Sequence, residues 1–294
     1  LIVITTPTGR IGRQTLDRVL GAGAAVRLIA RDPARLAPEV RDRVEIVPGS
    51  HGDREVVNQA FEGADAVLWL RPPDIRVESL ESAYLDFTRR ACDAIVRHGV
   101  PRVVGISSLG RGYPGDAGLV SVSLAMDDLI ASTGAGYRAL TMPSFMDNLL
   151  DQVPSITKEG VFFSPTPGDH KRPACATRDI AAVAARLLLD DGWSGQREVP
   201  VLGPEDLSQD EMAVIMSEVL GRPVRFQEVP LEAFKAGLLR QGWSEAMAQG
   251  MVAMMAAKND GLDNAEPRTP ESSTPTTFRR FCEDVLKPAV LAAG

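Results

Sequence analysis

Along the first half of the chain, hydrophobic positions follow two alternating rhythms. "LIVIT" (residues 1–5) is a continuous apolar, β-branched run, after which Ile11, Leu16, Val19 and Leu20 recur at helical spacing. Glycines in "GAGAAVRLIA" close that helix and lead into a second strand near Val26–Ala30. "VEIVPG" predicts a third strand, Asp53 a helix cap, and "AVLWL" a fourth strand ending at Arg71-Pro72-Pro73. Val77 to His98 reads as one long amphipathic helix, with Leu80, Tyr84, Phe87, Ala91, Ala94 and Ile95 on one face. A fifth strand ("PRVVGISS"), a helix over Leu119–Ser132 and a sixth strand ("GYRALTM") follow. This alternation predicts an α/β fold whose parallel sheet is covered on both faces, with a ligand crevice at the carboxyl ends of the strands.

From about Met146 the pattern changes. "GVFFSPTPG" reads as a strand or hairpin, Arg178–Leu189 as a helix, and the region near Val199–Leu202 as a strand. Ser208 is placed to cap a helix that stops at Gly221. Helices over Leu231–Arg240 and Ser244–Lys258 precede a Pro-, Ser- and Thr-rich stretch (Glu266–Pro275) and a last helix over Thr276–Leu286. The pattern predicts a dinucleotide-type domain over residues 1–150, completed by parts of 173–203, and a smaller, mostly helical cap over 151–294.

Composition narrows the function. Apolar residues make up 44%, enough for a packed core, and no apolar run has the length of a membrane span. The net charge of −7, from 32 basic and 39 acidic residues, argues against a nucleic-acid surface. Cys92, Cys175 and Cys282 and the histidines His51, His98 and His170 are scattered, so neither disulfides nor a metal site is expected. These features predict a soluble cytoplasmic protein.

The loop "TTPTGRIGR" between the first strand and helix is the first candidate for chemistry. Gly9 and Gly12 stand where backbone approaches a pyrophosphate and where the helix packs near the strand. Amides at the helix start, with its dipole, suit phosphate. At the end of the second strand, "IARDPAR" offers Arg31 and Arg35, which fit a 2′-phosphate by charge and donor geometry, while Asp32 keeps NAD(H) open beside NADP(H).

Several ordered segments then carry a family resemblance. "TPTGRIGRQTLDRVLGAGAAVRLIARDPARL", "VPRVVGISSLG", "MPSFMDNLL", "TRDIAAVAARLLLDD" and "GPEDLSQDEMAVIMSEVLGRPVRF" resemble the NmrA-like group of atypical short-chain dehydrogenases/reductases. The resemblance covers nearly the whole chain. It implies a Rossmann-like, doubly wound sheet, a smaller substrate-side domain and NADP(H) as the usual ligand. Position by position, Thr8, Gly9, Arg10, Ile11 and Gly12 would line the pyrophosphate, with Thr6 at the place of the family's first glycine. Arg31 and Arg35 would meet the adenosine phosphate, and Arg71 the adenine side. Ser107 and Ser108 would approach the nicotinamide ribose, and Pro143, Ser144 and Phe145 the nicotinamide ring. Met146 and Asn148 would face the substrate.

Two departures from the family pattern matter. Thr6 and Pro7 resist positive φ, so the loop must turn by a different backbone path. The Tyr–Lys pair of typical members is replaced by Leu119 and Ser123 in "GLVSVSLAMDDLI", and no lysine precedes Lys158. Tyr113, in "GRGYPGD", is the only tyrosine placed to act as a substitute acid. The expectation is therefore an NADP(H)-dependent reductase of a small, apolar, conjugated carbonyl or quinone, whose ring can absorb charge without a strong acid. A non-catalytic NADP(H) sensor with a regulatory protein partner, a non-redox isomerase, cyclase or lyase, and a homo-oligomer all stay open.

Overall fold

The computed structural model describes residues 1–294. In chain order the elements are β1 (Ile2–Ile4), α1 (Arg10–Gly21), β2 (Val26–Ala30), α2 (Pro38–Arg41), β3 (Glu45–Pro48), α3 (Arg54–Phe61), β4 (Ala66–Trp69), α4 (Phe87–His98), β5 (Arg102–Ser108), α5 (Leu119–Ala131) and β6 (Gly136–Met142). They continue with β7 (Ser144–Phe145), α6 (Val153–Glu159), β8 (Val161–Ser164), β9 (Arg172–Cys175), α7 (Thr177–Leu189) and β10 (Gln196–Pro200). The chain closes with β11 (Asp206–Leu207), α8 (Gln209–Leu220), β12 (Arg225–Glu228), α9 (Leu231–Arg240), α10 (Glu245–Asn259), α11 (Phe278–Phe281) and α12 (Lys287–Ala293). No helix is long and apolar enough to cross a membrane.

Two compact units result. The first comprises residues 1–108, 122–141 and 180–199. Its seven-stranded sheet runs β10-β6-β5-β4-β1-β2-β3, parallel from β5 through β3, and reverses its winding between β1 and β4. That reversal opens a crevice at the strand carboxyl ends. One cluster, built on Val3, Val67, Trp69, Phe61, Ile95 and Met126, packs helices against the sheet. The amphipathic stripe of α1 buries Ile11, Leu16, Val19 and Leu20, the positions its spacing predicts.

The second unit comprises residues 109–121, 142–179 and 200–294. It holds a small sheet ordered β11-β9-β7, a β12–β8 pair, and a core of Met146, Ile156, Phe162, Met216, Phe278, Phe281 and Leu286. Ser208 and Glu211 form a reciprocal capping box on α8, which ends at Gly221 in the left-handed region.

Two helices differ from the sequence pattern, and one open alternative is resolved. The helix expected from Val77 begins at Leu80 and carries a π turn over Ser82–Asp86 before continuing as α4. Asp74 accepts the Arg76 amide and holds a turn ahead of the helix, and Ser79 caps the helix start by accepting the Ser82 amide. Of the two readings of "GVFF", the strand is found: β8 pairs in parallel with the distant β12. The last helix begins at Phe278 under a Thr277 cap and extends beyond Leu286 through a π turn over Cys282–Leu286. Pro288 lies just beyond that turn and has no amide to close onto residue 284.

The loop from β1 to α1 sets the floor of the crevice. Thr6 O accepts the amide of Gly9 at 3.2 Å, closing a turn over Pro7 and Thr8. No residue of this turn has positive φ, so Thr6 and Pro7 are compatible with it and a first glycine is unnecessary. Gly12 is necessary for another reason: a Cβ there would lie 1.9 Å from Thr6 O. The loop is tied to β4 through Leu70. Thr5 Oγ1 accepts the Leu70 amide at 3.0 Å, and Thr6 Oγ1 donates to the Leu70 carbonyl at 3.2 Å. His51 Nε2 lies 3.1 Å from the same carbonyl, so that nitrogen carries the proton and donates. The buried imidazole meets Trp69 and Phe87 edge-on, with centroids 5.3 and 5.0 Å away.

Two stability outcomes follow. In an unstrained helix Gly→Ala would stabilise by up to about 1 kcal/mol. Gly12→Ala should instead destabilise by about 1–3 kcal/mol, because the loop backbone must give way. A higher urea midpoint for this variant would contradict the packing described. His51 is lowered from 6.5 to about 4, chiefly by burial and further by the charges of Arg31 and Arg71, against the pull of the Leu70 carbonyl. The folded state thus prefers neutral His51, and its contribution is complete above pH 6.5 and lost as pH falls toward 4. Between pH 7 and 5 the wild type should lose about 2 kcal/mol more stability than His51→Gln. Parallel losses in the two proteins would show that His51 is not the titrating group.

Candidate cofactor and active site

A cleft of about 370 Å³ in the first unit is lined by Thr5, Thr6, Pro7 and Thr8 from the loop, Ile29 to Asp32 and Arg35 from the end of β2, and Gly49, His51 and Pro72. Arg31 and Arg35 are exposed at its edge, and neither makes a side-chain hydrogen bond or ion pair. Asp32 is engaged locally: its Oδ1 accepts the Ala34 amide at 3.0 Å. Arg31 also lines an adjoining cleft of about 410 Å³ with Arg71 and Arg76. There the Arg71 guanidinium stacks 3.8 Å above the Tyr84 ring and donates to the Pro72 carbonyl at 2.7 Å.

The two loop glycines have different tasks. Gly12 is closed off by Thr6, whereas a Cβ on Gly9 would have only Thr6 O within reach, at 3.5 Å. Gly9 is the N-cap of α1 and supplies no side chain to the orphaned amides at the helix start. Thr8 and Arg10 flank it at the surface, and Ile11 is buried beneath. Two unpartnered guanidiniums, an uncapped helix start and an open approach at Gly9 together fit the phosphate-rich end of a dinucleotide. His51 was not legible as part of this cleft, because a lone histidine after a strand carries no motif.

At the end of β5, Ser107 is buried and Ser108 half-buried. The Ser107 hydroxyl donates to Asp127 of α5, which also accepts the Tyr137 hydroxyl at 2.6 Å. Tyr137 in turn needs Gly105, where a Cβ would sit 2.1 Å from the phenol oxygen. This network ties β5, α5 and β6 together. Its consequence for chemistry is direct: the Ser107 proton is committed to a carboxylate, so toward any further group Ser107 can only accept. Neither Asp127 nor Tyr137 was singled out by sequence. The available signal was an acidic pair, Asp127-Asp128, inside an otherwise apolar helix.

The remaining sequence candidates lie in the second unit. Pro143 is buried, and Ser144 and Phe145 form β7. Met146 is only 3% exposed and belongs to that unit's core, whereas Asn148 is exposed. Between them, Asp147 accepts both the amide and the hydroxyl of Thr177, at 2.8 and 2.5 Å, and so fixes the start of α7. Tyr113 donates its hydroxyl to Asp260 at 3.0 Å, and that carboxylate raises the phenol's pKa. A phenol held this way gives up its proton less readily than a free one.

Comparison with known proteins identifies the family. An NAD(P)H-binding family model matches residues 7–191, and the NmrA-like family model matches residues 129–281. The (4-alkanoyl-5-oxo-2,5-dihydrofuran-3-yl)methyl phosphate reductase of Streptomyces griseus is 32% identical over 246 residues, covering 81% of this chain and 80% of the relative. An NAD(P)H azoreductase of Xenophilus azovorans is 27% identical over 257 residues, covering 87% and 86%. Among solved structures, the NADPH-dependent quinone oxidoreductase of Escherichia coli complexed with NADPH superimposes with a TM-score of 0.80 at 20% identity, over 97% of this chain and 100% of that one. The chain belongs to the NmrA-like family of NAD(P)H-binding proteins.

Proposed function

We propose that the protein is an NADP(H)-dependent reductase of small conjugated carbonyl or quinone-type acceptors. The observation that carries this reading is the absence of a poised acid. The Ser107 proton is committed to Asp127, the Tyr113 proton to Asp260, and no lysine precedes Lys158. An isolated ketone would develop a localised alkoxide with no donor beside it, whereas a quinone or enone spreads the charge over its ring. The relatives' names point the same way: one reduces an acylated oxo-dihydrofuran and another an azo compound, both conjugated acceptors.

The cofactor, when bound, supplies the hydride. The chain's own residues supply position. Arg31 and Arg35 would grip an adenosine phosphate, and the α1 amides with Gly9 would hold the pyrophosphate. Ser107, with its own proton spent, would accept from a hydroxyl or amide of the nicotinamide riboside and so orient it.

Calorimetric titration should find tighter binding of NADPH than of NADH, and Arg31→Ala should lose about 1–3 kcal/mol on NADPH alone. Equal affinities for the two cofactors would remove the phosphate role of the arginines. With NADPH supplied, turnover of quinones and enones should exceed that of comparable simple ketones by about 10²–10⁴-fold, the usual worth of a general acid. Tyr113→Phe should slow turnover less than about tenfold. Cofactor binding with no turnover on any acceptor, together with a protein partner retained only in one NADP oxidation state, would identify a sensor instead.

A further inference from the structure

Arg172 opens β9 in the second unit and is only 7% exposed. Its guanidinium makes no hydrogen bond or ion pair with any side chain or carbonyl, and Nη1 is sealed from solvent without a partner. An acid stands nearby, but it is already taken. Asp263, with no exposed surface, gives both oxygens to Lys258 Nζ, at 2.7 and 2.6 Å. That pair is neutral by itself, so the buried cluster of Arg172, Lys258 and Asp263 keeps one net positive charge and no group is hydrogen-bonded to the Arg172 guanidinium.

A buried charge normally escapes by changing protonation state or by finding a partner. Guanidinium cannot readily do the first, and here the protein does not supply the second. Burial presses the Arg172 and Lys258 pKa values down while Asp263 pulls both up, so one carboxylate is shared between two cations. The planar fork of the guanidinium matches an oxyanion with two oxygens to offer.

The strand register gives the site its setting. Ala174 pairs with Ser144 and Cys175 with Phe145, so Arg172 stands on the same sheet face as Ala174 and Ser144, one pleat along. On the other side, Lys258 and Asp263 flank the end of α10, where Asp260 holds Tyr113 of the segment that follows β5. Arg172 therefore sits among the second-unit segments to which the sequence assigns the nicotinamide and substrate contacts.

We propose that Arg172 is the receptor for an oxyanion (carboxylate, sulfonate or phosphate monoester) carried by the electron acceptor, which makes anionic conjugated carbonyls the preferred substrates. The identity of the ligand as an acceptor rests on the reductase reading; the anion site itself does not.

The test compares 1,4-naphthoquinone with its 2-sulfonate in the wild type, Arg172→Met and Arg172→Lys. Intrinsic reactivity differences between the two quinones cancel between variants. Arg172→Met should lower the ratio of kcat/KM on the sulfonate to that on the parent quinone by about ten- to hundredfold, chiefly through KM, and Arg172→Lys by less. Removing an unpaired buried cation should also leave the melting temperature unchanged or raise it. A ratio that does not move, or a fall in melting temperature with equal loss on both quinones, overturns the proposal and makes Arg172 structural. Calorimetry with inorganic phosphate at saturating NADP⁺, which occupies Arg31 and Arg35, separates the two readings. Phosphate binding that vanishes in Arg172→Met, without reduction of any acceptor by the wild type, upholds the anion site and defeats the reductase reading.

Discussion

The carboxyl end of β4 is where the candidate site is held together, and the holding point is a single peptide unit. The Leu70 amide donates to Thr5, and the Leu70 carbonyl receives the hydroxyl of Thr6 and the imidazole N–H of His51. Thr5 and Thr6 follow β1, His51 follows β3, and Leu70 follows β4, so three strand ends are fixed to one another at the winding reversal. A buried carbonyl left without such partners would be costly. Burying His51 keeps it neutral, which avoids placing a third cation beside Arg31 and Arg71. The positive charge of the cleft is thereby confined to guanidiniums that project toward it.

With the loop anchored from below, glycine is needed for approach and not for conformation. The turn has no left-handed residue, and Gly12 is there because α1 presses on the Thr6 carbonyl. Gly9 keeps the space ahead of the helix open. This division explains how Thr6 and Pro7 replace a glycine without loss of the turn. The same economy marks β5, where Asp127 absorbs the protons of Ser107 and Tyr137 and stiffens the sheet end while leaving no acid there.

Much of the first unit was legible because its residues obey local rules. Apolar, β-branched runs gave β1 and β4 and, around Arg27, β2; a 3.6-residue stripe gave α1, and Gly9, Gly12, Arg31 and Arg35 stand at fixed offsets from those elements. The misplaced features turn on side-chain bonds at a helix start or on partners distant in sequence. The Asp74 turn and the Ser79 cap set the start of the helix at Leu80 instead of Val77, and β8 found β12 more than sixty residues away. The segment 109–121, which follows β5 directly, belongs with the second unit, and no composition shift announces it. His51, Asp127, Tyr137 and Arg172 share one reason for being missed. Each matters because of what surrounds it in space, and a lone titratable residue in a buried run has no sequence signature.

Reduction of an enone by this reading moves the cofactor's hydride to the β-carbon, and isotopic labelling observes that transfer directly. Stereospecifically deuterated [4-²H]NADPH would be incubated with the protein and a cyclic enone, and the product examined by mass spectrometry and proton NMR. Hydride transfer predicts one deuterium retained at the product's β-carbon, from one face of the nicotinamide only. Unlabelled product, or deuterium retained entirely in the cofactor with the enone unchanged, would contradict the assignment.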